Sequence, residues 1–123
     1  MENSDIRILV VDDEEHTRLG YAEVLKLDDY NVDVAENGLE GLKLAKANKY
    51  DVIVTDLRMP EMDGATFIEN LRKFNKEVRV VVITAFGSFK SYKQMTNLGA
   101  VEYINKPVRA KDLKEAVQKV LKL

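Results

Sequence analysis

The stretch YDVIVTDLRMPEMDG, Tyr50 to Gly64, decides how the chain is read. Val52, Ile53 and Val54 form a continuous apolar, β-branched run, the mark of a strand buried on both faces. The run stops at Asp56, and Pro60 and Gly64 then break the pattern, with Glu61 and Asp63 between them. A buried strand that ends on a carboxylate with a turn behind it delivers a charged group to the rim of a sheet.

Working outward, apolar runs alternate with helical periodicity. Ile6–Val11 reads as a first strand, and Leu19, Ala22 and Leu25 mark a helix whose face near Leu19 and Leu25 reads as core. Val32 and Val34 alternate with polar neighbours as a second strand, followed by a helix marked by Leu39, Leu42 and Ala45 with Asn37 as its N-cap. After the Val52–Val54 strand, Phe67, Ile68, Leu71 and Phe74 predict a third helix, and Val78–Thr84 a β-branched fourth strand. Phe89, Tyr92 and Met95 predict a fourth helix ended by Gly99. Val101–Asn105 is a short fifth strand, and Leu113, Ala116, Val117 and Val120 stripe a last helix. Val108–Lys111 offers that helix no good capping side chain, so its start is open by a turn.

Five strand–helix pairs in succession predict an α/β fold, a doubly wound, flavodoxin-like parallel sheet with helices on both faces. Strands one, three and four are continuously apolar and therefore central. Strand two alternates and strand five carries Glu102 and Asn105, so both are edges. The order is then 2-1-3-4-5, with a crevice above the carboxyl ends of strands one and three. The 123 residues suit one domain spanning 1–123.

Composition excludes several classes. Hydrophobic residues are 46% and charged residues 33%, an ordinary globular mixture, and the net charge of -2 gives no basic field for direct nucleic-acid binding. With no cysteine there is neither a disulfide framework nor a thiolate metal site, which fits a reducing cytoplasm. No apolar stretch is long enough to span a membrane, and the polar start lacks a signal-peptide pattern.

Four strand ends share the rim: Val11-Asp12-Asp13, Thr55-Asp56, Thr84-Ala85 and Asn105-Lys106-Pro107. Three close carboxylates repel one another, and a divalent cation resolves the conflict; clustered carboxylate oxygens suit Mg²⁺. Asp12, Asp13 and Asp56 are the candidate ligands, with a backbone carbonyl from the loop after Asp56 as an extra. Asp56, at the tip of the central strand, is the best nucleophile and would form an aspartyl-phosphate. Lys106 would pair with a phosphoryl oxygen and Thr84 would donate to another.

Taken together, Val10–Asp13 (VVDD), Asp56–Gly64 (DLRMPEMDG), Thr84-Ala85 and Lys106-Pro107 resemble, in order and spacing, the receiver domains of bacterial two-component response regulators, and the resemblance covers essentially the whole chain. It implies that Asp56 is the phosphoacceptor, that Asp12 and Asp13 hold Mg²⁺ with the carbonyl of Arg58 completing the shell, and that Thr84 and Lys106 act on the phosphoryl group. It implies a donor phosphohistidine on a sensor histidine kinase or histidine phosphotransfer protein. It further implies a switch in which Thr84 moves and the aromatic three residues before the lysine, Tyr103, turns inward. Tyr103 also reads as a plain edge-strand residue. Arg58 and Phe86, at positions that vary in the family, would set the lifetime of the phosphate. His16, the only histidine, reads as a solvated first-turn residue; Phe86 and Phe89 read equally as packing or partner-facing groups.

The expected function is a signalling switch, not an enzyme acting on outside substrates. Its output is a downstream protein target or a missing output domain, and its state a monomer or a weak phosphorylation-dependent dimer. The chain ends just after the fifth helix, with nothing like a helix-turn-helix remaining, and the DLRMPEMDG and ITAFGS wording is similar to sporulation-phosphorelay and nitrogen-regulator receivers. Two other classes compete. A haloacid-dehalogenase-like phosphatase places its nucleophile after strand one in Asp-x-Asp, whereas Asp12 and Asp13 are contiguous. A flavodoxin-like cofactor binder needs a phosphate-friendly loop where Asp12-Asp13-Glu14-Glu15 would repel one.

Overall fold

A computed structural model describes residues 2–85 and 87–123; Phe86 lies outside the described residues. The elements alternate as expected: β1 (Arg7–Val11), α1 (Glu15–Leu27), β2 (Asn31–Ala35), α2 (Gly38–Ala47), β3 (Val52–Asp56), α3 (Gly64–Arg72), β4 (Arg79–Thr84), α4 (Phe89–Asn97), β5 (Ala100–Asn105) and α5 (Ala110–Leu121). The five strands form one sheet in the order β2-β1-β3-β4-β5, and every pairing is parallel.

Alternation along each strand divides the core into two layers. Leu9, Val11, Ile53, Val80 and Val82 pack with Ala45, Phe67, Ile68, Leu71 and Met95, which puts α2, α3 and α4 on one face. Ile8, Val10, Val52, Val54, Val81 and Ile83 pack with Leu25, Leu113, Ala116, Val117 and Val120, which puts α1 and α5 on the other. Pairing between β4 and β5 shifts by one residue, because Val80 faces Ala100 while Val81 faces Glu102. Val101 is the extra residue, and everything after it takes the opposite face from that of an unbroken ladder.

Helix ends follow local chemistry. Asn37 caps α2 by accepting from the Glu40 N–H at 2.8 Å, as its side chain predicts. Gly99, at φ +86, ends α4 in the left-handed region where a side chain is disfavoured. The start of α5, open in the sequence, is settled at Arg109, whose N–H donates to Asp112 Oδ2 at 3.2 Å.

The first-helix face read as core is only partly so: Leu25 is buried but Leu19 is 48% exposed. Among the residues that marked the other helices, Leu39 is 53% and Phe89 77% exposed, and Tyr92 also faces solvent. The cause is common to all three helices. A step of three residues falls about 60° short of a full turn, so a series spaced by three drifts about 120° over two steps. One end of each series is buried (Leu25, Ala45, Met95) and the other swings out. Phe74 lies beyond the end of α3, partly exposed, with Lys46 Nζ 5.4 Å from its ring centre.

Candidate phosphoacceptor site

The rim at the carboxyl ends of β1, β3, β4 and β5 gathers the expected groups. Asp12 follows β1 and is 1% exposed; its Oδ1 accepts the Glu14 N–H at 2.9 Å. Asp56 ends β3 and is 8% exposed; Oδ1 accepts the Arg58 N–H at 3.2 Å, and Oδ2 accepts from Lys106 Nζ at 3.0 Å. Lys106 Nζ also lies 3.7 Å from Asp12 Oδ2. Asp13 is exposed, and one oxygen from each of Asp12, Asp13 and Asp56 lies within 4.8 Å of the others.

Strand alternation explains this convergence. Asp12, Asp56 and Lys106 continue the parity of Val10, Val54 and Ile104, which pack on the α1–α5 side. Thr84 continues the parity of Val82, on the side of α4, where Tyr103 also packs. Thr84 is fully buried, and its carbonyl accepts the Lys106 N–H at 2.8 Å, which ties the β4 and β5 tips together.

The loop between Asp56 and α3 is shaped by Gly64. A Cβ there would sit 2.5 Å from the Asp56 carbonyl oxygen and 2.8 Å from Leu57 Cα, both backbone atoms. Only glycine lets α3 start this close beneath the strand tip. Asp63 caps that helix by accepting from the Thr66 N–H at 2.8 Å.

Electrostatically the cluster is unbalanced. Burial raises the Asp12 pKa, opposed by the Glu14 N–H and the Lys106 charge and reinforced by Asp56 and Asp13. Burial alone would lower the Lys106 pKa, but the Asp56 hydrogen bond and the Asp12 and Asp56 charges outweigh it, so the ammonium form is favoured. Three acids against one ammonium leave a net negative pocket of hard oxygen donors, a set that fits a small divalent cation better than a soft one.

Residues around the cluster that the sequence reading passed over also hold the site. Glu14, not a more usual capping type, caps α1 by accepting from the His16 and Thr17 N–H groups at 3.2 and 2.7 Å. Arg18 Nη1 donates to the Asp12 carbonyl at 3.0 Å, fixing the turn that carries the acid pair. Its signal was an arginine in the first turn of the helix, five residues past Asp13. His16 is exposed on the first turn, as expected. Tyr103 does not reach the acid cluster; its hydroxyl meets Ser91 Oγ at 2.6 Å.

A tightly parallel 2-1-3-4-5 sheet with an Asp-Asp pair, a tip aspartate, a threonine and a lysine on one rim defines a phosphoryl-accepting regulator. Comparison with known proteins agrees: the response regulator receiver domain model matches residues 8–118, and the chain belongs to that family. The chain is 30% identical to sporulation initiation phosphotransferase F of Bacillus subtilis (strain 168), over 95% of this chain and 94% of that protein. It is 37% identical to the chemotaxis protein CheY of Treponema pallidum (strain Nichols), over 94% and 83% of the two. Among solved structures, a CheY-like receiver domain protein from Methanospirillum hungatei JF-1 superposes with a TM-score of 0.92 at 28% identity, covering 95% of this chain and 94% of that one.

The chain is therefore a phosphoacceptor receiver of a response regulator, and neither the phosphatase nor the cofactor-binder reading is favoured. Receiver domains act as signalling switches that meet histidine kinases or phosphotransfer proteins on one side and downstream targets on the other. Among the described residues, no helix is long and apolar enough to cross a membrane.

Proposed function

We propose that Asp56 is the phosphoacceptor, in a Mg²⁺-dependent transfer from the phosphohistidine of a sensor histidine kinase or histidine phosphotransfer protein. The observation that carries this is the placement of Asp56. It is nearly buried at the tip of a central strand, held by Lys106 Nζ and the Arg58 N–H, with Asp12 and Asp13 alongside.

In this reading an Asp56 carboxylate oxygen attacks phosphorus. The new P–O bond forms as the donor P–N bond breaks, and the electron pair leaves on the imidazole nitrogen. Lys106, whose ammonium lies 3.0 Å from Asp56 Oδ2, turns it to a phosphoryl oxygen. Thr84 offers its hydroxyl to a second oxygen from the neighbouring strand tip. Asp12, Asp13, Asp56 and the Arg58 carbonyl would hold Mg²⁺. When bound, the ion offsets the charge of the transferring phosphoryl group. The chain promotes only its own phosphorylation and dephosphorylation.

Thr84 and Tyr103 lie on the α4 face, so the response would pass to α4 and β5. There Phe89, Tyr92 and Val101 are exposed and available to a downstream target, a linked output domain or a second copy in a weak phosphorylation-dependent dimer. One receiver domain over residues 1–123, acting in the cytoplasm, completes the proposal, supported by the absence of cysteine.

The test is incubation with Mg²⁺ and acetyl phosphate, followed by intact-mass measurement. The expected result is one added phosphoryl group, lost in Asp56→Asn and on chelating the metal. An unchanged mass, or uptake that survives Asp56→Asn, would refute the assignment.

A further inference from the structure

The loop from Asp56 to α3 is closed at its base and strained at its tip. The Gly64 N–H donates to the Leu57 carbonyl at 2.7 Å, which brings the two feet of the loop together. At the tip the Met62 N–H donates to the Pro60 carbonyl at 2.8 Å, and Glu61, between them, stands at φ 70. A hydrogen bond that skips one left-handed residue is a γ-turn of the rare, strained kind. Glu61 is not a glycine, so the turn persists only where its surroundings hold it.

The next side chain supplies the hold. Glu61 is exposed, whereas Met62 folds inward against the first residue of α2. A Cβ on Gly38 would sit 2.9 Å from Met62 Sδ and 3.1 Å from both Met62 Cβ and Cγ, so the thioether chain lies flat on bare backbone. Met62 also packs on the core shared by α2, α3 and α4. The seat is firm. A Cβ on Gly41, one turn further along α2, would sit 3.0 Å from the Phe67 ring and 3.1 Å from Val11 Cγ2. Helix α2 therefore presses closely on β1 and α3, and it leaves Met62 no spare volume on the Gly38 side.

Access separates Met62 from the other described methionines. Met95 is fully buried and Met59 only 8% exposed, whereas Met62 is half-buried. Among the described residues, the thioether most open to a reagent is thus the one that props the strained turn.

We propose that Met62 is a modification site: a hydroperoxide oxidises its sulfur to the sulfoxide, and the sulfoxide unseats the loop from α2. A sulfur lone pair takes the terminal peroxide oxygen and the O–O bond breaks. The proton shed by that oxygen goes to the other one, which leaves as water or, from an organic hydroperoxide, as an alcohol. Sulfur gives up two electrons and the peroxide accepts them. The product is polar and chiral where an apolar chain lay on Gly38. With the prop gone, Glu61 leaves its left-handed conformation and the loop loosens. Arg58, whose N–H is held on Asp56 Oδ1 at 3.2 Å, belongs to the same loop. The loosening stands on the contacts above; its effect on phosphoryl uptake rests on the proposed role of Asp56.

The full chain, in chelator, is treated with hydrogen peroxide and mapped by tandem mass spectrometry. Met62 should take up oxygen about tenfold faster than Met59 or Met95, in line with its access. Amide exchange at Gly64 should then speed up about three- to tenfold, the change that loss of one neutral hydrogen bond brings. Exchange at Gly41, whose N–H donates to the Asn37 carbonyl within α2, should not change. Met62→Leu keeps the apolar bulk without the sulfur, so it should hold wild-type protection before and after peroxide. Met62→Gln, polar like the sulfoxide, should show the fast Gly64 exchange with no peroxide. Oxidation of Met59 or Met95 ahead of Met62, unchanged Gly64 exchange in the oxidised chain, or equal protection in the two variants would overturn the proposal.

Mg²⁺ and acetyl phosphate then connect the loop to the site. Peroxide-treated wild type should gain phosphoryl mass more slowly than untreated protein, and treated Met62→Leu should keep its untreated rate. Equal rates in treated and untreated wild type would overturn the effect on the site. No uptake by untreated protein, with the oxidation and exchange pattern intact, would overturn the acceptor role of Asp56 and support Met62 as the modification site.

Discussion

Replacing Asp13 with Asn should make the metal-free protein more stable and its response to Mg²⁺ smaller. Asp13 places a carboxylate oxygen within 4.8 Å of one on Asp12 and one on Asp56. At that separation a like-charge pair costs about 3.5 kcal/mol at an effective dielectric of ~20 and about 0.9 kcal/mol at the value for water. Asp13 is exposed, so the lower figure governs, and the two pairs together come to about 2 kcal/mol. The salt bridges of Lys106 run to Asp12 and Asp56, and its weaker attraction for Asp13 trims the gain to about 1 kcal/mol. For a domain of this size that is a rise in Tm of roughly 3–5 °C in chelator. Mg²⁺ at a hundredfold over its Kd should stabilise the wild type by about 2.7 kcal/mol. The variant, short of one ligand, should gain far less at the same concentration. Thermal melts with and without the metal should therefore cross: variant above wild type in chelator, wild type above variant in excess Mg²⁺. A variant less stable than wild type in chelator, or equal lifts from the metal, would refute both the repulsion and the shared site.

Two further substitutions probe how the rim is built. Gly64→Ala should cost about 1–3 kcal/mol, because the new Cβ meets the Asp56 carbonyl and Leu57 Cα rather than a movable side chain; an unchanged Tm would contradict the close approach. Glu14→Gln tests the cap of α1 through pH. Its hydrogen bonds, chiefly from the Thr17 hydroxyl and N–H, hold the Glu14 carboxyl below the ordinary value of 4.5. A depressed acid adds stability that is present above 4.5 and lost as the pH falls through the folded-state value. The Tm gap between wild type and Glu14→Gln should be widest at neutral pH and close in acid, and a gap independent of pH would contradict the cap.

The strand tips were legible because a parallel sheet leaves little choice. Once Val52–Val54, Val78–Thr84 and Ile6–Val11 read as central strands, their carboxyl ends share one rim, and Asp12, Asp56 and Thr84 go with them. The caps at Asn37 and Gly99 were legible because each depends on one residue's chemistry. Helix faces were less so. Spacing by three picked out Leu19, Leu39 and Phe89 as readily as Leu25, Ala45 and Met95, and only the sheet beneath decides which end of each series is covered. The bonds from Arg72 to the Leu98 carbonyl and from Tyr103 to Ser91 join segments 26 and 12 residues apart through side chains whose types alone predict nothing of their partners.

The register slip at Val101 shows why part of the site stayed out of reach. An unbroken ladder would pair Val101 with Val81 and Tyr103 with Ile83, which packs on the α1–α5 face. Tyr103 would then point away from α4, and Lys106 would project from the face opposite Asp12 and Asp56. The extra residue reverses both at once: Tyr103 pairs with Val82 and lies against the α4 side, while Ile104 and, by parity, Lys106 take the acid side. One inserted residue on an edge strand therefore aligns the lysine with the carboxylates and the tyrosine with the helix. The exposure of Val101 follows from the same slip, since the extra residue has no partner across the ladder to cover it. Deleting it would move chemistry and output together, so the lysine and the tyrosine three residues before it act as one register-locked unit.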